Sequence, residues 1–130
     1  ISRKNGEMLQ PFARLLIKLA ATDRVPMVKW HLAMMLGNVD SFKNEINEVV
    51  PALFILLEDE SVFVKSWAMV SLVFWGRRIE DRRREIVDRI GALKGHRSTA
   101  IRTRVAKALC VLENENEPIP SSWVKTGNHE

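Results

Sequence analysis

The stretch Asp59-Glu-Ser-Val-Phe63-Val64-Lys65-Ser66-Trp67-Ala-Met69-Val70-Ser-Leu72-Val-Phe74-Trp-Gly76 decides the fold, and it has a relative on each side. Thirty-six residues earlier stands Asp23-Arg-Val-Pro-Met-Val28-Lys29-Trp-His-Leu-Ala33-Met-Met-Leu36-Gly37. Thirty-seven residues later stands His96-Arg-Ser-Thr-Ala-Ile101-Arg102-Thr-Arg-Val-Ala106-Lys-Ala-Leu109-Cys110. Val28, Val64 and Ile101 align, as do Lys29, Lys65 and Arg102. Ala33, Met69 and Ala106 follow, then Leu36, Leu72 and Leu109. A period of 36 to 37 residues with this internal agreement marks a helical solenoid.

These residues resemble the HEAT repeat family. The second helix of that family opens with an Asp, followed five and six residues later by an aliphatic residue and a base. Asp23…Val28-Lys29 and Asp59…Val64-Lys65 keep that spacing. Pro51, eight residues before Asp59, matches a proline common in the family's first helix. Two departures stand out: His96 replaces the Asp in the third unit, and Pro11 lies twelve residues before Asp23. The likeness spans about residues 6 to 114. It implies an all-α fold, an α-α superhelix (solenoid) of three antiparallel helix pairs. It implies no single activity, because such a fold hosts many unrelated partners.

The motif also has a direct physical reading. An Asp at a helix start accepts a hydrogen bond from an unpaired backbone N–H and sits well at the positive end of the helix dipole. The base further along can bond that Asp or the Asp of the next unit. Exposed pairs of this kind contribute about 0–1 kcal/mol each, so their expected role is to fix the rotation between units.

Apolar spacing predicts six helices. The first runs from near Gln10 to Ala21, after a loose arm at residues 1–5, and Pro11 is tolerated in its first turn. The second starts at Thr22-Asp23 and ends near Gly37-Asn38. Asp40-Ser41 caps the third, which runs to about Leu57 and is expected to bend at Pro51. The fourth covers about 60 to 76, the fifth 80 to 94 and the sixth 98 to 113. The repeat domain is thus 6–113, in units of about 6–39, 40–77 and 78–113, and the tail 114–130 reads as extended or disordered.

The 130 residues suffice for one core, and 46% hydrophobic with 28% charged is ordinary for a globular protein. No apolar run approaches a membrane span, and no signal-peptide pattern appears. The chain begins at Ile1 rather than Met, which leads us to expect an upstream segment. A single cysteine, Cys110, fits a reducing, intracellular (cytoplasmic) setting, and its place in an apolar pattern predicts a buried, inert thiol.

The informative surface is the outward side of the second helices, which line the concave face in the family the chain resembles. At 100° per residue, Met27, Trp30, His31, Met34 and Asn38 point outward in the first unit. Phe63, Ser66, Trp67, Val70, Phe74 and Arg77 do so in the second, and Ala100, Thr103, Arg104, Lys107 and Val111 in the third. Two Trp, two Phe and two Met followed by a basic end suit the centre of a protein interface. Met27, Trp30, His31, Met34, Phe63, Trp67, Val70, Phe74, Arg104 and Lys107 are therefore the candidate partner-binding residues. Their expected partner is a peptide or helix with acidic residues at one end. Two alternatives stay open. The rings could pack between neighbouring helices, or Ile119-Pro-Ser-Ser-Trp123-Val124 could cover the groove from within the chain.

Charge is uneven. Residues 1–60 carry 7 basic against 8 acidic side chains, residues 61–112 carry 12 against 4, and residues 113–130 carry 1 against 4. The basic block could bind nucleic acid through Arg77, Arg78, Arg82, Arg83, Arg84 and Arg104. Its blander reading is a solvated helix face, partly neutralised by Glu80–Arg84 and Glu85–Arg89 pairs. His31, His96 and His129 are scattered, no metal-ligand spacing occurs, and no Gly-rich phosphate loop is present. No cofactor and no enzymatic activity are expected. HEAT-like DNA-repair glycosylases combine concave Trp, Arg and Asp residues. Trp30, Trp67 and Arg104 supply the first two kinds, but no carboxylate falls at an outward position.

Overall fold

A computed structural model describes residues 26–124. The loose arm at 1–5, the first expected helix, the Asp23 start and residues 125–130 lie outside the described residues. Among those described, the secondary structure is all helix, without strands.

Helix α1 (Pro26–Met35) has proline at its first position, where the missing N–H costs nothing. It stops at Gly37 and Asn38, whose amides bond back to the Met34 and Met35 carbonyls. Asn38, rather than the expected Asp40-Ser41, caps the next element, α2 (Val39–Phe42), its side chain accepting from the Ser41 amide. A 3₁₀ turn over Lys43–Glu45 leads into α3 (Ile46–Leu57), which contains Pro51.

Helix α4 (Val62–Arg78) is capped by Ser61, whose Oγ accepts from the Val64 amide at 3.3 Å, while Asp59 Oδ2 accepts from the Ser61 amide at 3.0 Å. The same arrangement recurs 37 residues later at α6 (Thr99–Glu113). There Ser98 Oγ accepts from the Ile101 amide at 3.3 Å, and His96 Nδ1 accepts from the Ser98 amide at 3.0 Å. The imidazole thus supplies the acceptor that the expected Asp would have supplied. Between them runs α5 (Glu80–Gly91), shorter than the predicted 80–94 because Ala92 to Gly95 form turns.

Helix α4 is the hub. It packs against α1, α3, α5 and α6, and α5 packs against α6. Eleven of its 17 residues are buried, which explains its apolar character on nearly all sides. Leu72 and Trp75 have no exposed surface, and each such side chain contributes about 1.5–3 kcal/mol by leaving water.

Polar side chains of α4 also reach main-chain carbonyls. Ser71 Oγ donates to the Ala33 carbonyl, and Trp75 Nε1 donates to the Leu36 carbonyl at 2.7 Å. These bonds satisfy groups at the end of α1 that have no partner within the helix. The buried Lys65 ammonium donates to the Leu57 carbonyl at 3.0 Å. Gly37 stands so close to α4 that a Cβ built there would lie 2.6 Å from Ser71 Oγ.

The tail departs from its expectation. After a turn at 115–116 and an extended run, residues Ser121–Val124 form a helical turn, α7. Trp123 within it is 5% exposed and belongs to the main buried cluster. Cys110, expected to be buried, is exposed. It follows the buried pair Ala108 and Leu109 on α6, and one further residue turns the thiol 100° away from the core.

Candidate functional site

Four side chains expected on the outward face form one ring cluster. The Trp30 ring stacks on His31 with centroids 4.0 Å apart, tilts against Phe63 at 5.2 Å and lies 6.5 Å from Trp67. Trp30 and His31 come from α1, and Phe63 and Trp67 from the first turns of α4, so the packing of these two helices assembles the cluster. Trp30 and Trp67 are half-buried and pack against the core, whereas His31 is exposed and Phe63 is 57% exposed. Phe63 and Trp67 are spaced to fall on one side of α4, so the exposed ring rests on a supported one.

Other expected positions are placed differently. Val70 is 1% exposed and is not part of the face. It lies one turn from both Trp67 and Phe74 on α4, a helix packed against four others. Ser66 and Val111, also expected outward, are buried. Ser66 falls at the edge of the arc of a helix that has neighbours on four sides. Val111 lies under the returning tail, and Arg77 Nη1 bridges the Val111 and Glu117 carbonyls. Met34 is half-buried, and the side chain of Met27 lies outside the described residues. Phe74 lines a shallow pocket with Asn38, Val39, Arg77, Arg78 and Ile119.

The basic end is occupied. Arg104 and Lys107 line a depression with Ala100, Thr103, Pro120 and Trp123. The Arg104 guanidinium carbon lies 6.0 Å from the centroid of the Trp123 ring, and burial pushes the Arg104 pKa below its usual value. Lys107 donates to the Glu117 carboxylate, and that hydrogen bond, opposed by desolvation and aided by the Glu117 charge, raises the Lys107 pKa.

The arginines of the basic block also face partners within the chain. Arg77 donates to the carbonyls of Val111, Glu115 and Glu117. Arg78 pairs with Asp40 at 2.8 Å, and Arg82 with Asn47 and Glu85. Arg83 bonds the Gly76 carbonyl at 2.8 Å and lies 3.9 Å from Glu115. Arg84 lies 3.9 Å from Asp88.

Sequence reasoning left out Glu117 and Arg77 as the residues that fasten the tail. The available signal was the pair of large apolar residues, Ile119 and Trp123, in an otherwise polar segment. Among the described residues no group of three or more His, Cys, Asp or Glu side chains is placed to hold a metal ion, and no helix is long and apolar enough to cross a membrane. Comparison of the chain with protein-family models, curated proteins and solved structures returned no match.

Proposed function

We propose that the chain is a short HEAT-like solenoid that binds a protein partner through the outward side of its second helices. Three observations support the solenoid. Helices α1 and α6 flank α4, as successive second helices would. The Asp59…Ser61 and His96…Ser98 caps repeat at 37 residues. Lys29 reaches forward to Asp59 of the next unit.

The observation that carries the binding reading is the ring cluster of Trp30, His31, Phe63 and Trp67, with Phe63 57% exposed. A rigid aromatic patch, supported from below and open above, is the kind of centre around which interface energy concentrates. Its expected ligand is a peptide or helix with an apolar anchor. Protein binding is favoured over nucleic-acid binding because Arg77, Arg82 and Arg83 bond to carbonyl oxygens of the chain itself, which leaves Arg78 and Arg84 as the well-exposed members of the block. A phosphate would have to compete with those groups.

The test is a random-peptide display selection on the whole chain, with counter-selection on Trp67→Ala. Peptides should enrich, and their affinity should fall about 30-fold or more on Trp67→Ala, the equivalent of about 2 kcal/mol. The melting curve of that variant should stay cooperative. Enriched peptides that bind both chains equally would remove the ring cluster from the site.

A further inference from the structure

Residues 114–123 leave the end of α6 and return across its outward side. Arg77, in the last turn of α4, fastens the return. It donates to the Val111 carbonyl at 3.1 Å, to the Glu117 carbonyl at 2.8 Å and to the Glu115 carbonyl at 3.3 Å. Beyond this clamp Glu117 meets Lys107, and Trp123 meets Arg104. On α6 Arg104 holds the place that the half-buried Trp67 holds on α4, 37 residues earlier. The tail therefore lies on the third-unit portion of the same outward stripe that bears the ring cluster in the first two.

We infer that residues 115–123 are a built-in occupant of the docking face, and that the partner displaces them with an extended peptide of the same chemistry. That peptide would carry a carboxylate for Lys107 and, about six residues later, an aromatic ring for Arg104, as Glu117 and Trp123 do. The inference rests on the docking reading above and adds the partner's recognition pattern. Charge complementarity supports it: residues 113–130 carry 4 acidic side chains against 1 basic, and residues 61–112 carry 12 basic against 4 acidic. So does the form of the attachment. Pro118 and Pro120 fix φ along the segment, and its side chains grip through the Lys107–Glu117 pair, a longer Arg83–Glu115 contact at 3.9 Å, Ile119 against the core and the buried Trp123 ring. The Lys107 and Glu117 side chains keep 39% and 28% exposure, so water and salt reach this pair.

A tethered occupant competes at a high effective concentration, and the apparent affinity of a free peptide falls by the fraction of time the face is open. Weakening the tether should therefore raise affinity for a peptide added in trans.

The probe is a fluorescein-labelled synthetic peptide of residues 114–124, titrated into whole chains. The Glu117→Ala/Trp123→Ala chain should melt cooperatively and bind the peptide at least tenfold more tightly than the unaltered chain. Adding Lys107→Glu should abolish that gain, and a peptide carrying Glu117→Lys should restore it. A folded double variant that binds no more tightly than the unaltered chain overturns the inference. So does a double variant that no longer melts cooperatively, since Trp123 would then be an indispensable part of the core. The peptide's contacts lie at Arg77, Arg104 and Lys107, whereas the display selection is counter-screened at Trp67. Loss of one result without the other shows which reading fails.

Discussion

Lys29 Nζ stands 2.7 Å from Asp59 Oδ1, joining α1 to the turn that enters α4 across 30 residues of sequence. The two side chains keep 19% and 16% exposure, so the pair is partly shielded from water. Burial pushes the Asp59 carboxyl up. Hydrogen bonds from Lys29 and the Ser61 amide, with the charges of Lys29 and Lys65, outweigh that and hold it below its ordinary value. A carboxyl held low in the folded state adds stability above the unfolded Asp range, near pH 4, and loses it as pH falls through the folded value. Asp59→Asn should cost about 1 kcal/mol at neutral pH, and less and less below about pH 4. Urea melts of both chains from pH 7 to pH 3 (about one unit below the unfolded Asp value) measure the gap. A gap that does not change with pH would mean the charge contributes nothing.

The next rung of this ladder is missing its acid. Lys65 is the counterpart of Lys29, and His96 that of Asp59, so the Lys65 ammonium turns to the Leu57 carbonyl instead. His96→Asp keeps an acceptor for the Ser98 amide and offers Lys65 a carboxylate. It should stabilise the fold by up to about 1 kcal/mol, and Lys65→Met should remove the gain. Denaturant melts of the single and double variants check this. If His96→Asp is neutral or destabilising, the third unit does not follow the second in register.

Gly37→Ala tests the closeness of α1 and α4. The new Cβ would meet Ser71 Oγ at 2.6 Å, its Cβ at 3.0 Å and its Cα at 3.1 Å. The Ser71 hydroxyl is already engaged with the Ala33 carbonyl, and the Cα cannot move without the helix. A loss of about 1–3 kcal/mol is expected. Combining it with Ser71→Gly should recover part of that loss, which a double-mutant cycle would show as favourable coupling.

Two residues nine apart on α4 should behave in opposite ways. Leu72 is fully buried, and Leu72→Ala should cost about 2–5 kcal/mol by leaving a cavity. Phe63 is 57% exposed and lies tilted at 56° against the Trp30 ring, so Phe63→Ala should cost about 1 kcal/mol or less. Its effect should appear in peptide affinity instead. Thermal melts beside binding isotherms separate the two. A Phe63→Ala chain that melts as early as Leu72→Ala would place the ring in the core.

Helix positions were legible in the sequence because local chemistry sets them. The start at Ser98 and the end of α1 at Gly37-Asn38 fall where expected, whereas the cap of α4 is Ser61 and not Asp59, which accepts from the Ser61 amide instead. The core face of α4 was legible too, since Val64, Ala68 and Leu72 recur at helical spacing and all are buried. A single-helix wheel carries no neighbours, however. It placed Val70 and Val111 outward because it could not include the helices packed around α4 or the tail that returns over α6. It placed Cys110 inward because an apolar pattern does not mark where the buried arc ends. Ile119 and Trp123 marked the tail for burial, but the Arg77 clamp reaches three carbonyls, and carbonyls are present at every residue, so no side-chain pattern announces that part of the attachment.

Ser71 and Trp75 secure α4 to α1 through the carbonyls of Ala33 and Leu36. A carbonyl is the same whichever residue bears it, so this joint is blind to the sequence it grips. The outward residues of α1, Trp30 and His31 among them, supply neither of those oxygens. Exposed side chains there, such as His31, can change while the joint between the helices keeps its register. The same logic makes α4 the conservative partner: exchange of Ser71 or Trp75 would loosen the joint, whereas exchange of the exposed His31 would change only what α1 presents.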